Sequence, residues 1–273
     1  AAGISEGDLS RRIGHQGPGD EVGRLAATFD GMLSRLESGF EQRRAFYALA
    51  SHELRTPLTI ARGHLEVLRR VGRPSPLEVH EAVDVALEEL DRMTEEVDDM
   101  LLLGRMLLGR PGRLEDVDAG SVVRAVHARA RGLAPRDWRI EVGGPIRVRA
   151  DEEQLSRALL NLVTNAVRHT QDGDQVRLAC RVSAGWARLE VADTGAGIPA
   201  ADLPHVFAPW YRVGGHSGNV GGLGLVIVQE VARAHGGEVD VESREGAGST
   251  FTIRVPLPAP EIGIRQAGLR DAG

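Results

Sequence analysis

A chain of 273 residues with 33 basic and 39 acidic side chains carries a formal net charge of −6, and 42% of it is apolar. That leaves room for two modest domains with ordinary cores, and it excludes the strongly basic surface of a nucleic-acid binder. Every basic residue is arginine.

Residues 1–38 hold a helix remnant with Gly7-Asp8-Leu9, then a connector ending in Gly17-Pro18-Gly19-Asp20-Glu21-Val22-Gly23. A second helix follows, with Leu25, Phe29, Met32 and Leu36 at heptad-like spacing. Asp20-Glu21-Val22-Gly23 at that place resembles the second half of a HAMP domain, a coupling module found just inside the membrane. The apolar phase then slips by about one residue through Phe40, Tyr47 and Ala50 to Leu54. Either a stutter between stacked coiled coils or one helix with an untidy face accounts for that.

From Leu54, the residues Leu58, Ala61, Leu65 and Leu68 follow at steps of four, three, four and three, the seam of a helix bundle. Within this pattern lies Ser51-His52-Glu53-Leu54-Arg55-Thr56-Pro57-Leu58-Thr59. At about 100° per residue, His52 points roughly 150° away from the seam and shares its exposed face with Thr56, with Glu53 beside it. Pro57 cannot donate to the carbonyl of Glu53, so a bend is expected just past the histidine. An isolated exposed histidine is ordinarily a solvated one. A zinc-protease helix would need a second histidine where Thr56 stands.

After Pro74-Ser75-Pro76, a second seam runs through Val83, Leu87, Leu90, Thr94, Val97 and Leu101. Its most apolar stretch, Met100–Leu108, is broken by Arg105 and too short to span a membrane. The two stripes exceed what one hairpin covers, which predicts a homodimer paired as a four-helix bundle.

Beyond Pro111 the texture changes. Helices are predicted over Ala119–Arg131, Asp151–His169 and Leu223–His235. Strands are predicted over Trp138–Val142, Ile146–Arg149, Gln175–Val182, Trp186–Ala192, Glu238–Ser243 and Ser249–Val255. The short turns Ser183-Ala184-Gly185 and Glu245-Gly246-Ala247-Gly248 make this an α+β two-layer sandwich with antiparallel hairpins, not a doubly wound sheet. Cys180, alone in the chain, excludes an intramolecular disulfide and fits a small buried strand residue. Residues 258–273 are expected to be disordered.

The helix starting near Asp151 puts Asn161, Asn165 and Arg168 on one face within about 60° of arc. Two amides there could hold Mg²⁺ through oxygen, and the guanidinium could neutralise phosphate. After a strand, Asp193-Thr194-Gly195-Ala196-Gly197-Ile198-Pro199 offers a carboxylate for an exocyclic amine such as that of adenine, and glycines for close approach to a flat ligand. Phe207-Ala208-Pro209-Trp210-Tyr211-Arg212 leads into a glycine-rich loop. Gly221-Gly222-Leu223-Gly224-Leu225 then opens a helix whose free amides suit a triphosphate. A Walker loop, a dinucleotide fingerprint and the Ser/Thr kinase signatures are absent.

In order and spacing, the nine-residue string and these four elements resemble the phosphoacceptor box and the asparagine, first glycine, phenylalanine and second glycine boxes of sensor histidine kinases. The likeness covers residues 40–257. It implies a multidomain chain: part of a HAMP domain over 1–38, an all-α dimerisation and phosphotransfer hairpin over 39–110, and an ATP-binding domain over 114–257. The last would have the Bergerat fold shared with Hsp90-like, gyrase and MutL ATPases. The resemblance implies ATP with Mg²⁺, His52 as phosphoacceptor, Glu53 as general base, and a response-regulator receiver domain as partner. It further implies a nucleotide site built from Asn161 and Asn165 (nearest Mg²⁺), Arg168, His169, Asp193, Gly195, Gly197, Ile198, Phe207, Tyr211, Arg212, Gly221, Gly222, Leu223, Gly224 and Leu225.

Thr56 stays open between positioning a water for dephosphorylation of the partner and bonding back to helix carbonyls. Val220 stands where the second glycine box often begins with Gly. Arg168-His169 replace a common Lys-Tyr pair, and Trp210 replaces a common Phe. Two competing readings are a mechanical ATPase of the same nucleotide fold and a catalytically silent dimeric scaffold. The acceptor box on a dimerising hairpin argues against the first; Asn165, Asp193 and the glycine loops argue against the second. The chain is expected to be a soluble fragment from the cytoplasmic side of a membrane protein, with sensor and spans upstream of Ala1.

Overall fold

Heptad-spaced apolar residues between charged ones produce a single 50-residue helix, α1 (Glu21–Arg70), which continues through Pro57 rather than ending there. The computed structural model describes residues 21–71, 73–107, 112–209, 211 and 223–258. Within α1, the side chains of residues 21, 22, 27 and 35–53 lie outside that description, as do residues 1–20 with the expected HAMP connector, and the expected tail from 259 on.

The second helix, α2 (Pro76–Leu107), starts on a reciprocal cap. The Ser75 hydroxyl accepts from the Glu78 amide at 3.3 Å while the Glu78 carboxylate accepts the Ser75 amide at 2.7 Å. Pro76 occupies the first helical position, where its missing N–H costs nothing. These hydrogen bonds from Ser75, the backbone one first, hold the Glu78 carboxyl below its ordinary value.

The chain divides into two compact units, Ala1–Glu96 and Val97–Gly273. In the first, Ala61, Ala82 and Ala86 are buried, whereas Leu58 (51%), Leu65 (46%), Leu87 (54%) and Leu90 (48%) stay exposed. Leu58, Ala61, Leu65, Ala86 and Leu90, with Arg62, Glu66 and Arg69, line one apolar groove of about 520 Å³.

The second unit is a two-layer α+β domain. Its main sheet joins β2 (Asp137–Val142), β4 (Gln175–Ser183), β5 (Trp186–Asp193), β7 (Gly248–Pro256) and β6 (Glu238–Arg244), in that spatial order. Helices α3 (Ala119–Ala130), α4 (Glu152–Arg168) and α5 (Gly224–Ala234) pack on this sheet. Alternation along the strands sends Val176, Leu178 and Cys180, with Leu189, Val191, Phe251 and Ile253, into the core. There they join Val122, Val126, Leu155, Leu159, Leu162 and Ile227, all essentially buried. The intervening residues Arg177, Arg181, Arg188 and Glu190 share the other face, where Arg181 pairs with Glu190 at 2.7 Å. Burial pushes the Cys180 thiol up to about 11, so it stays a neutral core residue.

Two features differ from the sequence expectation. A strand β1 (Glu115–Asp118) pairs antiparallel with β3 (Arg147–Ala150) as a separate two-stranded sheet. Its acidic sequence has only Val117 buried and so gives no strand signal. The Asp118 carboxylate caps α3 by accepting from Gly120 at 3.1 Å and also accepts from Ile146 at 2.9 Å, which ties β1 to the turn before β3. In addition, β2 runs parallel to β4, while the other pairings in the main sheet are antiparallel.

His235, capping α5, joins two of the helices. Its Nδ1 lies 2.7 Å from the Val231 carbonyl and its Nε2 accepts from the Asp151 amide at 2.9 Å. This fixes a neutral ring with the proton on Nδ1. Burial holds its pKa below the ordinary 6.5, so its stabilising contribution is fully present above that value and is lost as pH falls through the lower folded-state value. Urea melts should therefore show stability decreasing from about pH 7 toward pH 5, with a shallower slope in His235→Gln.

Candidate functional site

An N-cap and an apolar face decide how α4 presents its polar residues. Asp151 accepts the Gln154 amide at 3.0 Å, and Leu155, Ala158, Leu159, Leu162, Val163 and Ala166 turn into the core. Asn161 and Asn165 are left half-buried and Arg168 exposed. The amide nitrogen of Asn161 is buried and has no hydrogen-bond partner among the described residues. Across from it stands Gly224, the first residue of α5, where an added Cβ would lie 3.7 Å from the Asn161 Cβ and Cγ. The asparagine helix and the start of the glycine-led helix thus meet.

Asp193 ends β5, and its carboxylate accepts the Gly195 amide at 2.9 Å. Burial pushes its pKa up, opposed by hydrogen bonds from the Gly195 and Ser249 amides and by the charge of His169. His169 moves the other way: desolvation and then the Arg168 guanidinium hold it low, against the pull of Asp193.

The loop after Asp193 is bolted on two sides. The Ala196 amide donates to the His169 carbonyl at 3.1 Å, and the Gly246 amide donates to the Ala196 carbonyl at 2.7 Å. The Ile198 amide donates to Ser243 Oγ at 2.8 Å. These contacts leave no space for side chains. A Cβ at Gly195 would sit 2.1 Å from the His169 carbonyl oxygen, and one at Gly197 would sit 2.1 Å from that of Arg244. Gly197 also has φ +67°, in the left-handed region.

The other expected site residues divide. Leu223 is buried and Leu225 half-buried at the start of α5. Phe207 packs edge-on against Phe251 with ring centroids 6.3 Å apart, and the Tyr211 hydroxyl donates to Asp202 at 2.5 Å. The contacts seen for both are therefore with the protein's own residues. Arg212, Gly221 and Gly222, with Trp210 and Val220, lie outside the described residues. His52 and Glu53 lie on α1, but their side chains are outside the description; Thr56 is half-buried. Ser243, Gly246 and Ser249 were not singled out from the sequence. Their only signal was a Gly-rich turn, Glu245-Gly246-Ala247-Gly248, which marks a hairpin equally well.

Among the described residues, no group of three or more His, Cys, Asp or Glu could hold a metal ion, and no helix is long and apolar enough to cross a membrane. The amide oxygens of Asn161 and Asn165 are hard donors, the type that Mg²⁺ takes.

Three family models match the chain in succession. Residues 4–38 match the HAMP domain, 42–109 the His Kinase A (phospho-acceptor) domain, and 150–259 the histidine kinase-, DNA gyrase B- and HSP90-like ATPase. The last match implies ATP binding. Sensor protein CutS of Streptomyces coelicolor is 38% identical over 271 residues, covering 94% of this chain and 63% of that protein. Signal transduction histidine-protein kinase ArlS of Staphylococcus epidermidis is 31% identical over 245 residues, covering 87% and 54%. The chain thus spans between about half and two thirds of the length of these curated relatives. Among solved structures, the Acinetobacter baumannii histidine kinase AdeS shares the fold (TM-score 0.60, 23% identity, 76% of this chain and 98% of that one). Full-length ShkA in complex with AMPPNP aligns with TM-score 0.56 and 26% identity over 79% of this chain and 46% of that one.

Two substitutions separate crowding from backbone preference. Gly195→Ala must displace the end of α4 and should cost about 2–4 kcal/mol in chemical denaturation. Gly246→Ala, at φ +75° but with open space around its Cβ position, should cost only about 1 kcal/mol.

Proposed function

The chain belongs to the HAMP-containing sensor histidine kinases, and from that premise we propose that it transfers the γ-phosphoryl group of ATP to His52 and then to an aspartate of a response regulator. The observation that carries this reading is the Asp193–Ile198 loop bolted to the C-terminal end of the helix that carries Asn161 and Asn165, in a chain that also holds the acceptor string on α1. Domain limits at 1–38, 39–110 and 114–257 fit it, with 258–273 as a tail. So does a full-length protein in the cell membrane with this part on the cytoplasmic side.

In the proposed reaction, Asp193 accepts a hydrogen bond from the adenine amine, while Gly195 and Gly197 let the backbone approach the ring. Arg168 and the amides opening α5 neutralise phosphate charge. Asn161 and Asn165 would hold Mg²⁺, which supplies further charge neutralisation at the phosphates. The Nε2 lone pair of His52 attacks the γ-phosphorus in line as the bond to the β,γ-bridging oxygen breaks. ADP leaves and the ring proton passes to Glu53. Thr56 would orient water when the partner is dephosphorylated.

The test is labelling with γ-³²P-ATP. His52→Ala should lose all acid-labile, base-stable label while still binding nucleotide; undiminished label in that variant would falsify the acceptor assignment. Asp193→Asn should weaken nucleotide binding by about 1.5–3 kcal/mol. Its melting temperature should be unchanged or higher, because a carboxyl with a raised folded-state pKa costs stability when ionised.

The exposed Leu58, Leu65, Leu87 and Leu90 support a homodimer built through the hairpin. Light scattering should give twice the chain mass, and Leu87→Glu with Leu90→Glu should reduce it to one chain.

A further inference from the structure

Arg136, between α3 and β2, keeps its guanidinium buried, with 8% of the side chain exposed, and every N–H has an acceptor. Nε donates to Thr170 Oγ1 at 2.8 Å. One terminal nitrogen donates to Asp172 at 2.6 Å and to the Pro135 carbonyl at 3.3 Å. The other donates to the Thr170 carbonyl at 2.9 Å and to the Val167 carbonyl at 3.3 Å. Thr170 is itself anchored, its hydroxyl donating to the Ala166 carbonyl at 2.8 Å.

Apart from the Pro135 carbonyl, these acceptors gather at or just past the C-terminal end of α4, where the last carbonyls lack helical partners and partial negative charge collects. A guanidinium satisfies both needs at once. The same turns carry Asn165 and Arg168, and the adjoining His169 offers the carbonyl that receives Ala196 and limits position 195 to glycine. Arg136 therefore grips from one side the turn against which the Asp193–Ile198 loop is seated from the other.

We propose that Arg136 is a positioning residue of the nucleotide site: its five-donor fork fixes the end of α4 and thereby the spacing between Asn165 and the Asp193–Gly197 loop. This rests on the nucleotide-binding reading above. Lysine cannot substitute, because an ammonium presents three donors from one point rather than a planar fork.

The test uses the full chain carrying Arg136→Lys, titrated with a fluorescent ATP analogue well below the melting temperature of the variant. Affinity should fall about tenfold, and KM for ATP in autophosphorylation should rise in step, while the rate at saturating ATP stays within about threefold. A purely structural role would lower the melting temperature and leave the dissociation constant unchanged, which overturns the proposal. If Arg136→Lys does not fold, Thr170→Val decides. That variant removes the Nε acceptor and the hydroxyl's bond shared between the Ala166 and Val167 carbonyls, so affinity should fall about threefold, and an unchanged value overturns the proposal. Failure of the unsubstituted chain to bind the analogue would instead refute the nucleotide reading itself.

Discussion

The carbonyl oxygen of His169 occupies the space that a side chain at position 195 would need, and the arrangement of the second unit follows from that crowding. A helix end, a strand end and a hairpin turn converge on five residues of loop. Each supplies a hydrogen-bond partner that the loop cannot supply for itself, through the His169 carbonyl, the Ser243 hydroxyl and the Gly246 amide. Since backbone polar groups shut away from water must be paired, the loop has few conformations left. Asp193 is held by the same constraint, because the Gly195 amide that it binds belongs to the seated loop.

The electrostatics at Asp193 and Asn161 carry a cost that, in the proposed nucleotide site, a ligand would offset. Burial raises the Asp193 carboxyl although two backbone amides and His169 act to lower it, so desolvation outweighs hydrogen bonding there. A donor arriving from a ligand would offset that cost. The buried amide nitrogen of Asn161, without a partner among the described residues, is unfavourable in the same way. Sites that bind often retain such unsatisfied groups, whereas cores seldom do.

Local pattern made most of this legible. The 3.6-residue period located α4 and α5 to within one or two residues, and period-two alternation located five strands of the main sheet. Asn161, Asp193 and Gly224 stood out through the order of the motifs that hold them, which resembles that of a known family; singly, each motif is a weak signal. What stayed hidden was long-range. The strand Glu115–Asp118 forms because Asp118 is recruited by Gly120 and Ile146, and an acidic tetrapeptide does not announce that pairing. Parallel alignment of β2 with β4 depends on how the chain crosses over through β3 and α4, which alternation within a strand cannot reveal. Arg136 was one arginine among 33 until its five acceptors were placed around it.

Helices α4 and α5 are fastened at two levels. Near the start of α5, Gly224 lies in ordinary contact range of Asn161; beyond its last turn, His235 grips the amide of Asp151. Sliding one helix past the other by a single residue would shift it about 1.5 Å, enough to open the His235 bond or jam Gly224 against the asparagine. The pair therefore behaves as a chassis. In the proposed reaction, binding and release of nucleotide would carry both helices as one block, and any mechanical output would be taken from the edges of that block instead of its interior.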